Sequence, residues 1–87
     1  MVTKQFTILN EKGFHARPAG MLAKAVKTSE SQVHMKVKEK VVDCRSIVTL
    51  MTTAVRQGEE VEIQVDGQDE TRLIQEIEAM FLDGFGE

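Results

Sequence analysis

One of the two histidines, His15, lies in the stretch GFHARPAG at positions 13–20, which also holds the single proline of the chain. Proline is tolerated in the first turn of a helix, where its missing N–H would have no intrahelical partner, so Pro18 predicts a helix start with His15 at its mouth. The first N–H groups of a helix lack backbone acceptors, and with the aligned peptide dipoles they attract anions. A phosphoryl group held there would meet the N–H groups of Ala16 and Arg17.

The chemistry expected of His15 is phosphoryl acceptance. The positive end of a helix disfavours an imidazolium and so favours the neutral ring, which is the form that can attack phosphorus. Arg17 adds a planar, permanently charged donor for phosphoryl oxygens. These groups suit a histidine that accepts a phosphoryl group and gives it away. The spacing alone leaves a second interpretation open, in which His15 is a surface residue or a weak helix cap.

Ser46 also has two interpretations. It precedes Ile47, Leu50, Met51 and Ala54, whose spacing is typical of a short helix, and serine is a preferred N-cap. As a cap it would contribute about 1 kcal/mol, which explains it without regulation. A phosphate on Ser46 would instead stand on a helix N-terminus and change the surface offered to a partner.

The start of this short helix is expected to show an apolar spot to solvent. Ile47 and Met51 are first of all core candidates, but Val48 and Thr49 fall off the apolar stripe. Phe14, beside His15, is expected either in the core or at the rim of the site.

The remaining candidates predict neither a metal site nor a cofactor site. His34 alternates with lysines on the polar side of a predicted strand and has no acid or cysteine close in sequence, so we expect it to be solvated. Cys44 is the single cysteine, so it can form no internal disulfide and is expected to be a small buried hydrophobe. The sequence has no GKS or GKT phosphate loop, GxGxxG turn or HExxH motif.

The composition indicates one globular domain over residues 1–87, with 41% hydrophobic and 29% charged residues. No apolar run approaches the ~20 residues of a membrane span, and the first ten residues do not form a secretory signal, so we expect a cytoplasmic protein without membrane insertion. A net charge of −3 argues against a nucleic-acid binder. Lys12, Arg17, Lys24 and Lys27 nevertheless give a modest positive patch around His15.

The hydrophobic spacing predicts the elements that must position these residues. Alternation predicts strands over 2–9, 33–38, 41–44 and 60–65, and spacing of three and four predicts helices over 16–27, 47–54 and about 70–83. This order predicts an α+β open sandwich, with helices on one face of a mainly antiparallel sheet.

Three local features of these elements are predicted as well. Asp69 is expected to cap the last helix, which Gly84 would end. A turn is expected at 39–40, between the second and third strands. The acidic outer face of the fourth strand, at Glu60 and Glu62, is expected to pair across the sheet with Lys36 and Lys38.

Four stretches together resemble one family. They are GFHARPA at 13–19, RSIVTLM at 45–51, GEEVEIQVDGQDE at 58–70 and the ending GFGE. The pattern is similar to the HPr family, the histidine-containing phosphocarrier proteins of the bacterial sugar phosphotransferase system. The similarity extends over nearly all of the chain.

The resemblance implies a βαββαβα open-faced sandwich, with a four-stranded antiparallel sheet in the order 1-4-2-3 and three helices on one face. It also implies that enzyme I, charged from phosphoenolpyruvate, phosphorylates His15 on Nδ1, and that His15 passes the group to IIA domains of sugar permeases. Arg17, close to Pro18, would assist the transfer. The shared docking surface would comprise Lys24, Lys27, Ile47, Val48 and Met51. Such a protein is a stoichiometric carrier and not an enzyme.

Regulation is also implied by the resemblance. In Gram-positive members, the serine matching Ser46 is phosphorylated by an ATP-dependent kinase, which slows transfer from enzyme I and creates a co-repressor for a transcription regulator. An HPr kinase/phosphorylase and such a regulator are therefore further expected partners. A carrier that visits several partners is expected to be monomeric, with small and transient interfaces.

Two other functions stay open at this point. In the first, the chain is a regulatory binding module whose Ser46 phosphorylation state controls a transcription factor or an enzyme. In the second, it is a plain α+β interaction domain in which His15 is structural.

Overall fold

A four-stranded sheet carries three helices on one face. The structure, a computed structural model, describes residues 1–53 and 55–86. The elements are β1 (Val2–Thr7), α1 (Ala16–Lys27), β2 (Gln32–Val37), β3 (Lys40–Asp43), α2 (Ile47–Thr52), β4 (Glu60–Asp66), α3 (Glu70–Leu82) and a 3-10 turn (Gly84–Gly86). The strand order is β1-β4-β2-β3, and each neighbouring pair is antiparallel. The predicted α+β open-faced sandwich is confirmed.

The core forms where the inner face of the sheet meets the helices. On β4, the inner residues Val61, Ile63 and Val65 are almost completely buried, whereas Glu60, the first residue of the strand, is exposed. On α1, the buried residues recur at spacings of three and four, as the sequence predicted. Removing these apolar faces from water is the main favourable contribution to folding. It also fixes the orientation of α1, on which the candidate site stands.

The bounds of the four strands differ from the prediction by one or two residues. The first strand ends at Thr7 and not at Leu9, which is half exposed. The turn between β2 and β3 lies at Lys38 and Glu39, one residue earlier than predicted. Lys38 has a φ of +56°, so it takes the left-handed conformation that a glycine would usually supply.

The predicted pairing of lysines with glutamates across the sheet is only partly observed. Lys36 lies directly opposite Glu62 in the β2–β4 ladder. Because Lys38 belongs to the turn and has left the ladder, its Nζ lies 3.7 Å from a carboxylate oxygen of Glu59 rather than against Glu60.

Asp69 stands at the N-cap position of α3, but the prediction that its side chain caps the helix is wrong. Its carboxylate accepts a hydrogen bond from the Ser31 hydroxyl and another, of 3.1 Å, from the N–H of Glu30. These bonds, the one from Ser31 first, hold the pKa of Asp69 below its usual value. The carboxylate therefore ties the start of β2 to the start of α3, a contact between segments distant in sequence.

The second helix is shorter than predicted, since α2 ends at Thr52. The predicted stripe residue Ala54, like Glu87 of the GFGE ending, lies outside the described residues. None of the helices in the described part of the chain is both long and apolar enough to cross a membrane.

Cys44 is fully buried, which confirms the prediction for this residue. Burial, with a smaller contribution from the charge of Asp43, raises the pKa of the Cys44 thiol to about 12. Thiolate is the reactive form, so both protonation and burial protect the sulfur. We expect iodoacetamide at pH 8 to alkylate the folded protein far more slowly than the urea-unfolded chain, as measured by mass spectrometry. Equal rates in the two states would contradict the buried placement.

Candidate functional site

The loop before α1 is held by backbone contacts with the segment that precedes β4. The N–H of Phe14 donates to the carbonyl oxygen of Val55 over 3.2 Å, and the N–H of Gly13 donates to the carbonyl oxygen of Asn10 over 3.0 Å. Gly13 has a φ of +69°, and a Cβ at this position would stand 2.1 Å from the Val55 oxygen. Only glycine fits here, because both the backbone conformation and the close approach exclude a side chain.

Phe14 anchors the loop in an aromatic cluster. Its ring centroid lies 5.5 Å from that of Phe85 and 6.4 Å from that of Phe81. Phe81 in turn stacks on Phe6, with a centroid distance of 4.6 Å. The structure therefore places Phe14 in the core, one of the two placements left open by the sequence. Since Phe14 is fixed inside, its neighbour His15 is held at the surface.

His15 is the N-cap residue of α1, where the sequence placed it. Its backbone is extended, with a φ of −97° and a ψ of −161°, and its carbonyl oxygen accepts from the N–H of Ala19 over 3.1 Å. The side chain is half-buried and does not cap the helix through a hydrogen bond. A weak helix cap is therefore not the role of the His15 imidazole.

The first turn of α1 presents two amides beside His15. Ala16 and Arg17 are exposed and occupy the first two helical positions, while Pro18 is buried at the third. Helix-start N–H groups have no intrahelical acceptor, and Pro18 has no N–H at all. The N–H groups of Ala16 and Arg17 are therefore the backbone donors that this turn can offer to an anion.

The 3-10 turn at Gly84–Gly86, called the C-terminal turn below, also contacts the site. The Asn10 side chain donates to the Gly84 carbonyl oxygen over 2.6 Å, and Phe85 is buried with a φ of +54°. Next to it, a Cβ added at Gly86 would stand 3.1 Å from Nη2 of Arg17. The Arg17 guanidinium therefore lies against this turn. Sequence reasoning missed Asn10 and Phe85, and only the aromatic residue between two glycines hinted at the turn.

Ser46 is the N-cap of α2, as predicted. Its Oγ accepts from the N–H of Thr49 over 3.2 Å and from the Thr49 hydroxyl over 2.8 Å. The side chain is half-buried. The capping role is therefore established by geometry.

We expect Ser46→Ala to lower the free energy of unfolding by about 1 kcal/mol, since the N–H of Thr49 loses its acceptor. Urea denaturation of the purified variant measures the change. Ser46→Asp is the matched control, because it retains an oxygen acceptor and places a negative charge at the helix start, so it should keep most of the wild-type stability. A Ser46→Ala protein as stable as the wild type would contradict the cap.

The exposed surface of α2 is more apolar than predicted. Val48 is 71% exposed, Met51 47% and Ile47 37%, whereas Leu50 is fully buried. The interpretation of Ile47 and Met51 as core residues is therefore wrong. Leu50 is the buried residue of α2, and the neighbouring apolar side chains of the same helix remain in contact with solvent.

Two exposed cations lie on the helix that packs against α2. Lys24 and Lys27 are exposed on the last turn of α1, the helix against which α2 packs. Within residues 1–53 and 55–86, the ion pairs that the structure defines involve the N-terminus, Lys4, Lys38 and Arg72 instead. Among the described residues, Lys24 and Lys27 therefore form no ion pair with a carboxylate.

His34 lies outside this site, on the open face of the sheet. In the ladder it is opposite Asp43 on one side and Gln64 on the other, so an acid is close in space although not in sequence. Among the described residues, no three histidine, cysteine or carboxylate side chains converge as metal ligands.

The chain is similar to known proteins over its full length. The family model described as "PTS HPr component phosphorylation site" matches residues 2–83. The phosphocarrier protein HPr of Treponema pallidum is 36% identical over 88 aligned positions, which cover 100% of this chain and 99% of that protein. The crystal structure of HPr-C-His from Thermoanaerobacter tengcongensis superposes with a TM-score of 0.93 at 31% identity, covering 100% and 98% of the two chains. A structure of an HPr dimer from the same organism superposes with a TM-score of 0.77 at 32% identity, covering 92% of each chain.

Proposed function

This chain belongs to the HPr family, and from this premise we propose that His15 is the residue that accepts the phosphoryl group. As a member of that family, the protein is a phosphoryl carrier of the sugar phosphotransferase system and not an enzyme. The observation that carries the assignment of His15 is its position at the N-cap of α1, beside the two exposed first-turn residues Ala16 and Arg17.

The transfer step follows from these groups. Nδ1 of the neutral imidazole attacks the phosphorus of the donor, and a nitrogen–phosphorus bond forms as the donor's bond to phosphorus breaks. No proton has to leave the attacking nitrogen, because the other ring nitrogen carries the hydrogen. The N–H groups of Ala16 and Arg17 and the Arg17 guanidinium stabilise the negative charge on the phosphoryl oxygens. Pro18 contributes by fixing the backbone of the first turn.

Enzyme I is the proposed donor, and IIA domains of sugar permeases are the proposed acceptors. Both would dock on one surface, since both must reach His15. The exposed apolar side chains of α2 and the exposed cations of α1 are suited to such docking. A partner can bury the apolar side chains and can place carboxylates opposite the cations. This docking surface comprises Lys24, Lys27, Ile47, Val48 and Met51.

Ser46 is proposed as a regulatory site on the edge of that surface. A phosphate there would remain at the N-terminus of α2, but it would bring negative charge next to Ile47 and Val48. Enzyme I is proposed to place carboxylates against the cations of the docking surface. The negative charge of the phosphate would repel these carboxylates and weaken docking. The proposed additional partners are an HPr kinase/phosphorylase and a transcription regulator that binds the phosphorylated form.

The carrier is proposed to act as a monomer in the cytoplasm. The proposed docking surface is formed by α1 and α2 of one chain, so each partner can be accommodated in turn without a second copy of the chain. Size-exclusion chromatography with light scattering would measure the state in solution, and a stable dimer would contradict this part of the proposal.

The experiment that tests the carrier proposal is phosphorylation of the purified protein with enzyme I and phosphoenolpyruvate. We expect an adduct that is labile in acid and stable in base, as for a phosphohistidine, and that maps to the peptide containing His15. NMR of the phosphorylated ring would distinguish Nδ1 from Nε2. A phosphate found on any other residue would refute the assignment.

A further inference from the structure

The segment between α2 and β4 brings a second arginine to the candidate site. Building on the proposed function of His15, we propose that Arg56 supplies a second guanidinium to the phosphoryl group that His15 carries. Nothing in the sequence places Arg56 near His15, since the two residues lie in different loops.

Backbone contacts place Arg56 beside the loop that holds His15. Phe14 donates to the Val55 carbonyl oxygen over 3.2 Å, and a Cβ built on Gly13 would stand 3.2 Å from Cα of Arg56. His15 follows Gly13 by two residues, at most ~7 Å of extended chain. The long side chain of Arg56 is exposed, so it can cover this distance through solvent.

The turn that carries Arg56 is fixed, and it leaves the guanidinium available. The N–H of Arg56 donates to Oε1 of Glu59 over 2.9 Å, and the Glu59 N–H donates back to the Arg56 carbonyl oxygen over 3.1 Å. The other carboxylate oxygen of Glu59 faces Nζ of Lys38 at 3.7 Å. The nearest acid in sequence therefore binds the Arg56 backbone and Lys38. In the part of the chain that the structure describes, no ion pair involves the Arg56 guanidinium.

A phosphoryl group on His15 has room for another donor. The group has three terminal oxygens, and the first turn of α1 offers only the amides of Ala16 and Arg17, because Pro18 lacks an N–H. The Arg17 guanidinium lies against the C-terminal turn at Gly86. Arg56 lies on the α2–β4 segment, which contacts the loop before α1 at Gly13 and Phe14. A charge-assisted hydrogen bond from Arg56 would complete the set of donors.

The test compares the wild type with Arg56→Gln, Arg56→Lys and the control Arg72→Gln. The control removes the same charge from an exposed arginine of α3, which is engaged with Asp69 and Glu76. Each protein is phosphorylated with enzyme I and phosphoenolpyruvate, and the rate of phosphorylation is measured. The phosphorylated proteins are then titrated with pH and followed by ³¹P NMR, because a nearby cation favours the dianionic phosphoryl group.

We expect Arg56→Gln to lower kcat/KM for phosphorylation roughly threefold to tenfold and to move the ³¹P titration a few tenths of a unit to higher pH. Arg56→Lys should recover part of both effects, and Arg72→Gln should match the wild type. A phosphorylated Arg56→Gln protein with the wild-type rate and titration would overturn this proposal alone. Failure of the wild type to be phosphorylated on His15 would refute the proposed function as well.

Discussion

His15→Ala is expected to reduce phosphorylation by enzyme I and phosphoenolpyruvate to background. The substitution removes the only proposed nucleophile, and neither the amides of α1 nor Arg17 can replace a nitrogen that bonds to phosphorus. The fold should persist, because the His15 side chain is half-buried and makes no capping hydrogen bond to α1. The measurement is transfer of labelled phosphate, read with thermal unfolding of the same sample.

His34→Ala is the matched control for this experiment. His34 is also a half-buried histidine, but it stands on the open face of the sheet between Asp43 and Gln64. We expect this variant to be phosphorylated at the wild-type rate. Undiminished labelling of a folded His15→Ala protein would refute the assignment of the site. Loss of labelling in His34→Ala would contradict the claim that only the position of His15 supports phosphorylation.

Gly13→Ala is expected to lower the free energy of unfolding more than Ser46→Ala or Gly20→Ala. The new Cβ would stand 2.1 Å from the Val55 carbonyl oxygen, and the φ of +69° is unfavourable for alanine. The left-handed conformation costs ~1–2 kcal/mol, and relief of the overlap by backbone movement costs a similar amount or more, so the free energy of unfolding should fall by roughly 2–4 kcal/mol. Urea denaturation measures this change. Phosphorylation should also slow, because the same movement displaces His15.

Gly20→Ala provides the comparison within α1. Apart from its two neighbours and the backbone of α1 itself, no atom of the described residues lies within 4 Å of a Cβ built at Gly20. Alanine is the better helix former by up to ~1 kcal/mol, so this variant should be slightly more stable than the wild type. If Gly13→Ala were as stable as the wild type, or if Gly20→Ala lost as much stability as Gly13→Ala, the described packing of the loop before α1 would be wrong.

Local physical rules account for the parts of the site that the sequence predicted. Pro18 and the alanine-rich spacing after it place the start of α1, and His15 therefore falls at the N-cap. Ser46 precedes a short apolar pattern, and its side chain does cap α2. Both results depend on neighbours within one helical turn, so periodicity and backbone preference are sufficient.

The same local rules fail where contacts outside the helix decide the placement of a side chain. Asp69 is a good cap by sequence, yet its carboxylate bonds to Ser31 and Glu30. Ile47 and Met51 fit an apolar stripe with Leu50, yet Leu50 is buried and the other two side chains are exposed. In both cases, the local pattern describes the position of a residue within its helix, but it does not determine what the side chain contacts in the folded protein.

The sequence by itself therefore determined the kinds of elements, the helix start at His15 and, through the resemblance of its motifs, the family and the strand order. Only the tertiary structure decided which segments enclose the site: Phe85 against Phe14, Gly86 against Arg17, and Arg56 beside Gly13. The physical reason is the sequence separation over which each kind of interaction acts. Backbone preferences and helix spacing act over a few residues, whereas these contacts join residues 43 to 71 positions apart in the sequence. Such contacts exist only once the whole core has been buried.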